Sequence, residues 1–408
     1  MSAPNPIHPD TRLPVPPDNR RLSRIGFALL ATGGALSAAA LMIDRHPARF
    51  GFAYLWGFSF LWAVVLGSLF FVAFHHINHA VWSVGMRRIA EMLAAPMWIV
   101  AILFLPILAF GVVSNQFHLF PWVDEGLVHH DHRLLQKHLY LNAPFFTVRA
   151  VAFFASWIAF AAYFVRRSLA QDRGQAGPDA TLRMRRMSAP FMFIFALTVT
   201  FASIDWFMSL EPRWYSTMFS VYVFSGMVLT AFAVVTVGVL WLRDTHRLGP
   251  GLITDDHLYN LGGWLFAWTC FWAYIAFSQY MLIWYGNLPE ETFYLVRRLE
   301  GGWLAISIAL ALARFAVPFL VLLSSQAKTH TGILWAMAIL VLLGQLLDSY
   351  WLIMPQYHRA GPILGWQDLG PLLFMVGILL LCVSRFLDRY APVAVGDPLL
   401  EESKHFHL

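Results

Sequence analysis

The run Ile204–Phe219, IDWFMSLEPRWYSTMF, decides what kind of chain this is. An apolar stretch beginning at Phe191 ends in Asp205, the polar turn Glu211-Pro212-Arg213 follows, and a second apolar stretch starts almost at once. Two bilayer-crossing helices joined by a tight turn have this pattern, because each needs roughly 20 apolar residues to span the hydrocarbon. An acid at the end of such a helix is costly and rare, and is by default a functional candidate.

The rest of the chain agrees with that reading. It has 408 residues, 59% hydrophobic and only 12% charged, whereas a soluble domain carries about a quarter charged residues. The 17 Trp and 35 Phe suit membrane interfaces and interhelical packing. The net charge of +5 does not point to nucleic acid, because the basic residues sit in particular loops. Cys270 and Cys382 are isolated within apolar runs, so they form neither a disulfide framework nor a metal site. No cleavable signal peptide is visible, and the Pro-rich stretch 1–23 reads as a disordered arm.

The expected fold is therefore all-α and integral to a membrane. Ten spans are predicted, at 24–43, 50–74, 90–114, 142–166, 187–210, 215–242, 257–284, 300–324, 330–350 and 368–388. A basic loop at 167–186 divides spans one to four from spans five to ten, and a tail follows at 389–408. An even number of spans puts both termini on one side, and that side carries 18 Lys and Arg against 8 on the other. By the positive-inside rule both termini are cytoplasmic.

A loose internal repeat accompanies this topology. Asp205 precedes Pro212 by seven residues at the end of span five, and Asp348 precedes Pro355 by seven at the end of span nine. Spans three and seven both end in Gln plus an aromatic residue (Gln116-Phe117, Gln279-Tyr280) with an acidic pair further on. Spans two to five and six to nine are then two related four-helix bundles, with spans one and ten outside them. Two repeats of four helices run in the same direction, which is not the commonest plan for a secondary transporter with inverted repeats. A stand-alone transporter is accordingly the weakest of the function classes.

None of the 16 His lies near the middle of a span. A membrane b-type haem needs axial ligands within the bundle, commonly His, so no haem is expected on this chain. His75-His76-His79 and His129-His130-His132 are read as interfacial polar residues before metal ligands. No Cys-x-x-Cys, phosphate-binding glycine loop or His-Glu-x-x-His occurs. Any metals of a redox function belong to other subunits.

Acids and hydroxyls at membrane depth remain. Asp205, Gln279, Tyr280, Asp348 and Tyr350 are expected to line one outward-facing polar pocket, extended inward by Tyr222 and Tyr274, as a proton path. The bland alternative is that the acids are structural acceptors for nearby Trp and Tyr groups, and the residues leave both open. Arg314, in ALARFAVP, lies near the middle of span eight, where a bare Arg costs about 2.5–3.5 kcal/mol. It should face the interior and pair with an acid, a ligand head group, or the carbonyl that Pro318 frees. Arg149, nearer its helix end, is expected to snorkel.

Three stretches carry a family resemblance: IDWFMSLEPRWYSTMFSVYVFSG at 204–226, FWAYIAFSQYMLIWYGNLPEET at 271–292 and DSYWLIMP at 348–355. They resemble the ActF-type membrane subunit of bacterial alternative complex III, within the wider NrfD and PsrC family of membrane anchors. The likeness covers residues 190–356, and the first 185 match only in outline. It implies ten helices in the bacterial inner membrane and a place in a respiratory quinol:electron-acceptor oxidoreductase of the electron-transport chain. This chain would be a scaffold and proton-conducting (proton-translocating) half-channel without a redox centre of its own. Implied partners are an ActC-like paralogue, an iron–sulfur protein, a multihaem cytochrome and a terminal oxidase, with haem and iron–sulfur clusters on those chains. The family pattern has His where Gln345 and Arg314 stand here, so an outward half-channel is expected rather than a full relay. In the alternative reading the chain holds quinol or menaquinol itself, at Asp205, Trp264 and Trp284.

Overall fold

A computed structural model describes residues 19–43, 47–177 and 179–408. Among the described residues ten helices are long and apolar enough to cross a membrane: Arg20–Ile43, Pro47–Ile77, Val81–Val113, Ala143–Asp172, Ala180–Leu210, Met218–Asp244, Asp255–Gly286, Trp303–Leu322, Thr331–Gln356 and Trp366–Leu387. They are the first to tenth spans below. No strand occurs among the described residues. The chain is thus an all-α, multi-pass membrane protein.

Most helices continue beyond the apolar stretch that announces them. The first begins at Arg20 rather than 24; of the expected arm, residues 1–18 lie outside the described residues. The fourth starts where Asn142 Oδ1 accepts from the Phe145 amide at 2.9 Å, with Pro144 in its first turn. It runs to Asp172 and the fifth begins at Ala180, so the expected loop 167–186 shrinks to 173–179. The third is a composite, interrupted at Pro96 and ending in a π-turn at Ile107–Val113 just after Pro106. Proline removes a backbone donor and clashes with the preceding turn, which accounts for both irregularities.

The second and sixth spans form the centre, buried along most of their length. A Cβ on Gly67 would lie 2.8 Å from the Met227 carbonyl oxygen, so the two backbones touch and only glycine fits. From this centre contacts run in two circuits. One joins the second, third, fourth and fifth spans, the other the sixth, seventh, eighth and ninth. The first span lies against the tenth outside both circuits, at a seam where a Cβ on Gly33 would lie 2.7 Å from the Gly370 carbonyl oxygen. Small residues allow such approach where lipid offers no hydrophobic drive.

Asn19 donates to Asp388 at 2.7 Å, so the two ends of the described helical body share one face. On that face Arg87 pairs with Glu91 at 3.0 Å and Asp397 at 2.6 Å, and Arg88 with Asp172 at 2.5 Å. The expected tail is therefore docked rather than hanging free. Its Gly396 amide donates to Asp172 at 2.9 Å, and a short helix at Leu400–Lys404 follows.

Candidate functional site

Arg314 is fully buried on the eighth span, within a π-turn at Leu312–Ala316. Pro318 cannot donate to the Arg314 carbonyl, which loosens the helix there, and π-turns gather at functional sites. The side chain bonds across to the ninth span: Nη1 donates to Asp348 Oδ2 at 2.8 Å and to Gln345 Oε1 at 2.6 Å. Nη2 reaches the Gly226 carbonyl at 3.3 Å, and the guanidinium lies 4.8 Å from the Trp272 ring centre. The other oxygen of Asp348 accepts from the Tyr222 hydroxyl of the sixth span. Of the partners expected for Arg314, it takes the acid, and a backbone carbonyl as well, that of Gly226.

Asp205 has a different environment. Arg149 grips it with two parallel bonds, Nε to Oδ2 at 2.7 Å and Nη2 to Oδ1 at 2.9 Å. The same guanidinium donates to the Tyr140 carbonyl at 3.0 Å and sits 3.9 Å from the Tyr140 ring centre. Arg149 therefore does not snorkel: it is only 8% exposed, and the bidentate match of its planar fork to the Asp205 carboxylate holds it inside. The two pairs obey the repeat. Each aspartate of the fifth or ninth span takes an arginine from the span before it.

The expected single pocket is divided. Asp205 lies in the first circuit and Asp348 in the second, with no bond between them. Tyr222, Tyr274, Gln279 and Tyr280 do line one cavity of about 640 Å³ between the seventh and eighth spans. Its walls are apolar, among them Phe277, Phe315, Phe319 and Leu310, and Tyr222, which lines it too, donates its hydroxyl to Asp348. Tyr350 is no part of it; that ring packs between Trp56 and Trp303, with centroids 5.4 and 5.7 Å away. Behind Asp348 a hole of about 20 Å³ reaches toward Trp62 and Phe207, enough for one water molecule.

The trio Asp205, Trp264 and Trp284 does not converge. Asp205 is paired through both oxygens to Arg149. Trp264 packs on Phe74 and Phe232 near the terminus face. Trp284 is 66% exposed on the outside of its helix. Aromatic residues in one run share a face only at helical spacing, and 264 and 284 are too far apart along the axis to meet at one ring.

The sequence reading missed part of the wall of this cavity. Helix Pro289–Leu299 has proline at its start, Glu290 and Glu291 in its first turn and Arg297 and Arg298 in its last, a complete helix signature. Its Tyr294, Leu295 and Leu299 line the cavity. Tyr294 stacks on Trp214 at 3.7 Å, and burial pushes its phenol up to about 12, so it stays neutral. Arg297 donates to Glu211 at 2.5 Å, and Gln356 donates to the other Glu211 oxygen. The residue before Pro212 is thus tied to the residue after Pro355, joining the ends of the two repeats.

Among the described residues no group of three His, Cys, Asp or Glu side chains is gathered to hold a metal ion. No family model matches the chain, and no curated protein matches it.

Proposed function

We propose that this chain is a haem-free membrane subunit of a quinol-oxidising complex of the alternative complex III type, and that it holds the quinol itself between the seventh and eighth spans. One observation carries the reading. A 640 Å³ apolar cavity is lined by Tyr222, whose hydroxyl is bonded to a buried, arginine-paired carboxylate. Ligand sites are mostly apolar with a few convergent polar groups, and a flat ring with two hydroxyls and a prenyl tail fits that division. This favours the quinol-holding reading over a scaffold for the second circuit, while the closed Arg149–Asp205 pair supports a structural role for the first.

The chemistry assigned to the chain is proton acceptance. Oxidation of quinol releases two protons as two electrons pass to an iron–sulfur or haem acceptor on a partner subunit. The Tyr222 hydroxyl can receive a ring proton while passing its own to Asp348. Arg314 stays charged and cannot carry the proton further. Beyond Arg314 the polar contacts run only to Gln345 and Thr230, and Phe70, Phe224, Phe232 and Trp268 pack ring against ring between the second, sixth and seventh spans. The proton is therefore expected to leave by the nearer, outer face, as a half-channel requires.

Photo-labelling with an azido-quinone tests this in the purified complex. Label is expected within 271–280 or 307–319 and should fall in Tyr222→Phe. Label confined to a co-purifying chain would refute the assignment.

A further inference from the structure

The cavity between the seventh and eighth spans holds two polar groups that the protein itself does not use. Gln279, on the seventh span, and Tyr294, on helix Pro289–Leu299, both line it and are 8% and 3% exposed. Neither the Gln279 amide nor the Tyr294 hydroxyl has a hydrogen-bond partner among the described residues, and neither is sealed off from water. Other hydroxyls of the lining are taken. Tyr222 donates to Asp348, and Ser307 donates to the Arg298 carbonyl at 2.7 Å while accepting from the Trp351 indole at 2.7 Å. The Tyr294 ring is fixed in place. Trp214 stacks on it at 3.7 Å and the Arg298 guanidinium lies 3.5 Å from its centre; two groups that close cannot share a face, so the ring is held between them.

Buried polar groups without partners are costly, and where they persist they call for a functional reason. We propose that Gln279 and Tyr294 are the residues that hold the ring oxygens of the bound quinol, an assignment that rests on the quinol-holding reading above and adds the groups that recognise the ring. An amide and a neutral phenol can each donate and accept. They give hydrogen bonds to the carbonyls of the oxidised ring and take them from the hydroxyls of the reduced ring, so both forms are held. An acyl chain would fill the apolar volume and leave the amide and the hydroxyl unpaired; a ring with two oxygens pairs them. Tyr274 and Phe277 line the same cavity and are exposed on the seventh span, so the opening is lateral and lets a prenyl tail lie out in the lipid.

The test titrates an azido-quinone against the purified complex and reads the concentration that gives half-maximal label. Gln279→Leu and Tyr294→Phe should each raise it roughly three- to tenfold, the loss of one hydrogen bond. Tyr285→Phe, on an exposed ring outside the cavity, should leave it unchanged. Decylbenzene, which has a ring and a tail but no oxygens, should not compete with the label. Neither the amide nor the hydroxyl is bonded within the protein, so the thermal midpoint of both variants without quinone should equal or exceed that of wild type. If wild type takes no label, the quinol reading fails and this assignment falls with it. If wild type is labelled and both variants bind as tightly, water alone serves the two groups: the assignment is overturned while the quinol reading stands. Equal weakening in Tyr285→Phe, full competition by decylbenzene, or a lowered midpoint in both variants also overturns it.

Discussion

Replacing Asp205 by Asn leaves the Arg149 guanidinium at 8% exposure without its counter-charge. Removing one partner of a buried ion pair costs about 3–5 kcal/mol. The Tyr140 carbonyl at 3.0 Å and the Tyr140 and Phe145 rings remain to hold the cation, so the lower end, about 3 kcal/mol, is expected. A combined Arg149→Met and Asp205→Leu replacement keeps the volume and removes both charges. It should recover most of the loss, a coupling of roughly 2–3 kcal/mol between the two positions. Denaturant titration of the purified chain in mild detergent, with wild type, both single variants and the double, gives that coupling directly. Quinone labelling of the double variant should match wild type, since Asp205 does not line the cavity. If Asp205→Asn is as stable as wild type, or the stable double variant loses the label, the view of this pair as a structural lock is wrong.

Tyr222→Phe removes the hydroxyl but leaves the Arg314–Asp348 pair, so the complex should assemble while quinol-dependent turnover falls roughly tenfold. Gly344→Ala would place a Cβ 2.5 Å from Arg314 Cγ; the crowding should cost about 1–3 kcal/mol in the same titration, and a wild-type midpoint would contradict the geometry. Gly33→Leu would wedge the first span from the tenth, where a Cβ alone would lie 2.7 Å from the Gly370 carbonyl oxygen, and should lower thermal stability in detergent more than Gly34→Leu. His358 titrates below its ordinary range because of burial first and the Arg49 charge second. The unfolded chain thus takes up this proton at higher pH than the folded one, so stability should fall as pH drops through about 6.5. His358→Gln should flatten that slope.

The spans were legible because an apolar run of bilayer length can satisfy its backbone in lipid only as a helix, and few soluble folds need one so long. The seven-residue Asp-to-Pro spacing was legible, yet its meaning was not. Arg149 and Asp205 are 56 residues apart, and Arg314 and Asp348 are 34 apart; a charge that looks exposed near a helix end reveals its partner only when the neighbouring helix is in place. The helix at 289–299 carried its start and stop signals openly, but nothing local says that it lines a cavity. Trp264 and Trp284 looked like one aromatic wall because a linear run hides which way each ring faces.

By itself the sequence determined the class of the molecule, the ten crossings, the expensive acids and the absence of histidines at mid-span. Each follows from composition and spacing along one chain. Which aspartate is sealed and which stands beside a cavity was decided by the tertiary structure. Burial and pairing depend on rotations of neighbouring helices about their axes, and those rotations are set by packing between residues far apart in the chain.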